Sequence, residues 1–207
     1  MSFPLSAPFT MTISGPTMSG KSVWMEKFIE SIDALVDTKF ESIIWCYSEF
    51  QSISSKIRGN PKVKFHQGVP DLSEISNGSK AQRLICLDDL MMEIDTSIVN
   101  LFTKGAHHWN LSVIFITQNL FHQGKGRRDI SLNSHYIIFH LARQIHPENP
   151  LFIQDAYRDA TSKPHGYLLI DLKQSTPDDY RIRTNIFPED KYTFVYVPKN
   201  KNKRRMF

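Results

Sequence analysis

A lysine, two serines and two glycines stand close together near the start of the chain, at a spacing that suits phosphate chemistry. Gly15-Pro16-Thr17-Met18-Ser19-Gly20-Lys21-Ser22 reads G-x-x-x-x-G-K-[ST]. Glycines at those two places let the backbone bend so that successive N–H groups point inward. That nest, with the positive end of a following helix, cradles phosphate oxygens. Lys21 would reach the β- and γ-phosphates, and Ser22 would give an oxygen to Mg²⁺. The plain alternative is a chance glycine turn before a helix. Against it, the flanking segments read as the strand and the helix that this loop requires.

A phosphate cradle needs acids opposite it. Asp88 and Asp89 follow the apolar run Leu84–Leu87. An acid at such a strand end holds Mg²⁺, here through water, and the next position can polarise an attacking water. ATPases of this layout more often carry Glu at the second place, so the shorter Asp89 is a departure. It would act through a second water, or Glu93 would contribute instead; capping the next turn is the alternative role for Asp89. Gln118, in "ITQN" at the end of the next apolar run, would face the γ-phosphate or, alternatively, simply solvent. Phe121–Asn133, "FHQGKGRRDISLN", reads as a basic, glycine-containing loop. Its Lys125 and Arg127 would bind a DNA backbone without reading bases.

These residues need a scaffold, and the patterning supplies one. Phe9–Ser14 alternates like a strand, and Ser22–Val36 carries Met25, Phe28, Ile29, Ile32, Leu35 and Val36 at helical spacing. Ser42–Ser48 reads as a strand whose Trp45 and Tyr47 share a core face; base stacking is the alternative use of that face. Val63–His66 reads as a weaker strand. Arg83–Leu90 and Leu111–Asn119 read as strands buried on both faces, and His135–Phe139 and Gly166–Leu172 as later ones. Asp95–Gly105 reads as a helix capped by Asp95 and ended by Gly105, and Pro150–Thr161 as a helix with Pro in its first turn. Strands alternating with helices predict an α/β fold: a P-loop NTPase of RecA/ASCE type, with a mainly parallel central sheet flanked by helices. Residues 1–198 are expected to form a single ATPase domain. Residues 199–207 form a basic tail with Lys199, Lys201, Lys203, Arg204 and Arg205, suited to nuclear import, DNA holding or plain solvation.

Composition sets outer bounds. The 207 residues are 41% hydrophobic and 22% charged, ordinary for a globular chain, with a net charge of +4 that permits nucleic-acid binding without requiring it. Cys46 and Cys86 sit in apolar runs and read as buried free thiols in a reducing compartment. His107 and His108 lack partners at metal-ligand spacing. No signal peptide and no apolar run of about 20 residues occurs, so no membrane role is expected and the cytosol or nucleus is the expected location.

Together, "GPTMSGKS", "LICLDDL", "LFTKGAHHWNLSVIFITQNLFHQGKGRRDISLNSHYI" and "HGYLLIDL…RIRTNIFP" resemble the DNA-packaging ATPases of large DNA viruses. The likeness is most of all to those of the Maverick/Polinton elements, within the FtsK–HerA-like branch of P-loop ATPases. It spans Thr12 to Pro188, and the segment Leu101–Asn133 points to this family rather than to NTPases at large. The resemblance implies ATP and Mg²⁺ as cofactors, double-stranded DNA as the translocated substrate, a homo-oligomeric ring and a capsid or portal partner. It also implies a location in the host cytoplasm or nucleus, or in the virion. Within the ring it implies a composite site in which Arg128 reaches a neighbour's γ-phosphate, with Arg127 and Arg143 as alternatives; contact with DNA phosphates or solvent is the other role open to Arg127 and Arg128. The chain departs from the family where relatives carry a longer segment between Phe139 and His140. A small-molecule or nucleoside kinase and a non-hydrolysing ATP switch are the rival readings. A GTPase would need an N-K-x-D motif, which does not occur within the domain.

Overall fold

The computed structural model describes residues 4–50, 53–71, 81–90, 96–105, 109–119, 127–140 and 151–198. Glu93, Asp95, His107, His108, Lys125, Arg143 and the basic tail therefore lie outside the described residues.

The strands are β1 (Thr10–Ser14), β2 (Ser42–Tyr47), β3 (Val63–Gln67), β4 (Arg83–Asp88), β5 (Leu111–Thr117), β6 (Tyr136–His140), β7 (Tyr167–Asp171), β8 (Ile182–Thr184) and β9 (Phe194–Val195). They form one nine-stranded sheet in the order β3-β2-β4-β5-β1-β6-β7-β8-β9. From β3 to β6 every pairing is parallel; from β6 to β9 every pairing is antiparallel. The α/β expectation with a mainly parallel sheet is met. β1 and β5 are buried along their whole length, as strands covered on both faces must be. The polar side chains of β1 are paired: Thr10 Oγ1 donates to the Asn133 carbonyl, and Thr12 Oγ1 lies 2.7 Å from Ser134 Oγ. These bonds join β1 to the turn that leads into β6.

Helix α1 (Lys21–Glu30) ends at Ser31, and a short α2 (Ile32–Leu35) follows. The sequence predicts one helix through Val36. The break at Ser31 lets Val36 turn extended and bridge Leu5, while Asp37 accepts hydrogen bonds from Ser6 Oγ (2.8 Å) and the Ala7 amide (2.9 Å). The apolar face survives the break: Met25, Phe28, Ile29, Ile32, Leu35 and Val36 are all buried. Trp45 is core as expected, and Tyr47 packs against the same cluster. Cys46 and Cys86 are buried free thiols, with Cys46 pushed up to about 12 by burial.

A single turn α3 (Ser55–Arg58) precedes β3. Helix α4 (Thr96–Asn100) runs into a wider π turn at Leu101–Gly105, and burial of Ile98, Leu101 and Phe102 fixes that segment. The expected loop Phe121–Asn133 needs correction in its second half, because Arg127–Leu132 forms a helix, α5. Ile130 drives this: it is buried in the cluster with Leu87, Leu101 and Phe115. Asn133 and Ser134 then donate to the Asp129 and Ile130 carbonyls and close the helix. Helix α6 (Leu151–Ala160) covers the antiparallel side through Ala156, Tyr157 and Ala160. The Phe139–His140 junction, where the relatives carry a longer segment, lies inside β6, which runs unbroken to His140. No described helix is long and apolar enough to cross a membrane.

Candidate phosphate-binding site

The loop joining β1 to α1 leaves the sheet between its two most buried neighbours. Gly15 donates its amide to the Thr117 carbonyl (3.3 Å), which ties the loop's first residue to the end of β5. Ser19 donates to the Pro16 carbonyl (3.2 Å), Met18 takes φ 63°, and Gly20 takes φ 108°. A side chain at either glycine has no room. A Cβ at Gly15 would lie 2.6 Å from Ser19 Oγ and 2.8 Å from His140 Cβ; one at Gly20 would lie 2.9 Å from His165 Nδ1. Gly20 is also the N-cap of α1. It offers no side-chain acceptor, and the first turn carries no acidic residue. The positive end of α1 is thus left for an external anion.

Lys21 folds back over this loop. Its Nζ donates to the carbonyls of Gly15 (2.6 Å) and Pro16 (2.9 Å). Burial lowers its pKa, opposed by the charges of Asp88 and Asp89. Ser19 Oγ is buried without a hydrogen-bond partner. Pro16, Thr17, Met18 and Ser22 are exposed.

Asp88 ends β4 level with Ile116 of β5, and Ile116 is level with Ile13 of β1. The acid therefore sits two strands from the loop, with β5 between them, at the same C-terminal end of the parallel strands. Burial first, then the charge of Asp89, pushes the Asp88 carboxyl up to about 6, while Lys21 opposes the rise. Asp89 is exposed with φ 52°, a left-handed conformation that Asp tolerates better than most residues. Gln118 is exposed just past the end of β5, the strand lying between β4 and β1. The structure thus gathers Gly15–Ser22, Asp88, Asp89 and Gln118 at the C-terminal end of the parallel strands β1, β4 and β5. Arg127 and Arg128 open helix α5 rather than standing on a loop.

Two residues of the site escape sequence reasoning. His140 supports Gly15, and His165, at φ 61°, supports Gly20. His140 is fully buried. Burial, reinforced by the Lys21 charge, lowers its pKa to about 4. No motif marks these histidines. They reach the loop only because β6 pairs with β1 and β7 pairs with β6, which sets His140 opposite Tyr167.

A parallel sheet with a glycine loop between β1 and α1, and an acid ending a strand two places away, is the fold of the P-loop NTPases. Comparison with solved structures agrees. The chain is similar to the genome-packaging NTPase B204 of Sulfolobus turreted icosahedral virus 2 in complex with ATP-gammaS, at 16% identity and a TM-score of 0.53, covering 93% of this chain and 98% of that one. It is similar to B204, the DNA-packaging ATPase of Sulfolobus turreted icosahedral virus, at 17% identity and a TM-score of 0.54, with the same coverage. It also resembles the cytoplasmic domain of EssC, at 12% identity and a TM-score of 0.52, covering 95% of this chain and 41% of that one. No protein-family model matches the chain, and no curated protein matches it.

Proposed function

We propose that this chain is an ATP-hydrolysing motor of the FtsK–HerA-like branch that moves double-stranded DNA, in the manner of a viral genome-packaging ATPase. The observation that carries the reading is the phosphate cradle: glycines packed too tightly for any side chain, an uncapped helix start, and Lys21 held over the loop with Asp88 beside it. Likeness in fold to B204 over nearly its full length supports the packaging role. Residues 1–198 are taken as one domain, and the location as the host cytoplasm or nucleus, or the virion.

In this reading the amides from Gly15 through Ser22 bind the triphosphate, and Lys21 exchanges the Gly15 and Pro16 carbonyls for phosphate oxygens. The unpaired Ser19 hydroxyl gains an acceptor there. Among the described residues no cluster of three or more His, Cys, Asp or Glu could hold a metal ion. The donors on hand are one hydroxyl, Ser22, and one carboxylate, Asp88. That sparse oxygen set fits Mg²⁺, which keeps most of its waters and shares phosphate oxygens. Mg²⁺ supplies charge neutralisation on the phosphates when bound. Asp89 orients and deprotonates the attacking water, Gln118 contacts the γ-phosphate side, and Arg128 of a neighbouring subunit in a homo-oligomeric ring faces the same group. Lys125 and Arg127 hold the DNA backbone, and a capsid or portal protein receives the motor.

Lys21→Ala is expected to abolish ATP binding, and the wild-type chain is expected to turn over ATP faster with double-stranded DNA, an effect that weakens as salt rises. Titration of nucleotide and phosphate release with and without DNA check both. Unchanged nucleotide affinity in Lys21→Ala would overturn the cradle, and turnover that depends on a small phosphate acceptor would replace the motor with a kinase.

A further inference from the structure

Asp88 has a neighbour that the phosphate chemistry leaves unused. Strands β2 and β4 run parallel, with Trp45 level with Cys86 and Tyr47 level with Asp88. Residues two apart on a strand project from the same face of the sheet, as do level residues on paired strands. Trp45, Tyr47, Cys86 and Asp88 therefore share one face. It is the face that α1 covers, since Trp45 and Cys86 belong to the same core cluster as Met25 and Phe28. Lys21 opens α1, so the loop lysine and the acid meet over that face.

Trp45 is only 2% exposed, and its indole nitrogen is buried. The N–H makes no hydrogen bond of full geometry, and the acceptor within its reach is the Asp88 carboxylate. Buried donors as a rule have partners, because an unmade bond there is costly. On β5 the residue level with Asp88 is Ile116, which is apolar. On β2 Tyr47 is half-buried and packs its ring against Phe50, with centroids 5.1 Å apart. The carboxylate thus meets the neutral Trp45 N–H as well as the Lys21 charge. Core packing explains the Trp45 ring, but not why its one polar atom lies against the acid.

We propose that Trp45 is a positioning residue for the metal-binding acid: its indole N–H donates to one oxygen of Asp88 and leaves the other for the water shell of Mg²⁺. The inference rests on Asp88 as the metal acid in the reading above. An indole N–H donates and never accepts, so it holds the carboxylate through a lone pair and stops it from rotating. Loss of such an outer partner costs about 10- to 100-fold in metal affinity. The low end applies here, since Asp88 acts through water.

Calorimetric titration of the full chain with ATP, in EDTA and over a series of free Mg²⁺ concentrations, tests this. Site-specific replacement of Trp45 by 3-benzothienylalanine puts sulfur in place of the N–H and keeps the shape of the ring. That variant should bind ATP in EDTA as wild type does, which also shows that it is folded. The Mg²⁺ concentration at which its ATP affinity rises should be about tenfold higher. Asp88→Asn should raise that midpoint as well. In the ligand-free chain the indole N–H resonance of Trp45, assigned by its loss in Trp45→Phe, should move in Asp88→Ala. A wild-type midpoint in the benzothienyl variant, or an unmoved resonance, would return Trp45 to the core and leave Asp88 as the metal acid. ATP affinity in EDTA that falls with the replacement would mean that Trp45 serves the fold alone, which also overturns the role. A wild-type midpoint in Asp88→Asn would remove the acid from the metal site, and the role of Trp45 would fall with it.

Discussion

His140 lies against the loop that binds phosphate in this reading, at a cost to the fold. Its ring is fully buried, where the charged form would lose its hydration. The ring is held neutral, with a folded pKa of about 4 against an ordinary value of 6.5. The unfolded chain therefore takes up a proton that the folded one refuses. The stability tied to this group is complete above pH 6.5 and is lost as the pH falls from there toward 4, by roughly 3 kcal/mol in all. His140→Leu keeps a side chain of similar bulk beside Gly15 and removes the titration. It should match wild type within about 1 kcal/mol at pH 7. It should also flatten the loss between pH 6.5 and 4, as read by urea unfolding across that range; an unchanged acid profile would show that His140 does not titrate on unfolding.

At the scale of elements, the antiparallel extension stands on a buried ion pair. Arg183 Nη2 of β8 meets Asp171 Oδ2 of β7 at 2.7 Å, with both side chains almost wholly buried. Thr176 Oγ1 (3.0 Å) and the Lys173 amide (3.1 Å) also donate to the Asp171 carboxylate. Charges taken out of water are tolerated only when so fully paired. Arg183→Met strands the carboxylate and should cost about 3–5 kcal/mol, whereas the double change Asp171→Leu with Arg183→Met should recover most of that loss. Equilibrium unfolding of the three proteins decides it, and a silent single variant would mean that the pair is not what locks β7 to β8. Since β7 follows His165 closely, this pair also steadies the segment that packs against Gly20.

For the whole molecule, the proposed motor is incomplete as one subunit: the loop, Asp88, Asp89 and Gln118 gather at the C-terminal end of the parallel strands, while Arg128, the proposed trans-acting group, stands at the start of α5. Mixed rings test this. Asp89→Asn subunits and Arg128→Ala subunits should each be nearly inactive, and mixing them should restore part of the DNA-stimulated turnover, because some interfaces then join an intact Asp89 to an intact Arg128. An arginine of this kind contributes on the order of 10³–10⁵ in rate, so even partial rescue is measurable. No rescue at any mixing ratio would place the arginine elsewhere.

The glycine-rich loop between β1 and α1, the acid-ended strand and the parallel core are all legible in the sequence. Each is written in local terms: glycine spacing, an apolar run closed by Asp88, and strands apolar enough to be buried on both faces. Tertiary structure decided what local pattern cannot carry. Burial of Ile130 turned Arg127–Leu132 into a helix although the segment reads as a basic loop. The Val36–Leu5 bridge accompanies the break at Ser31 in an apparently continuous helix. Strand pairing brought His140 against Gly15, and the turn before β7 brought His165 against Gly20. A residue's neighbours within one turn or one strand are fixed by chain geometry, whereas its neighbours across a sheet depend on which strands pair, and that choice is made by the whole core at once.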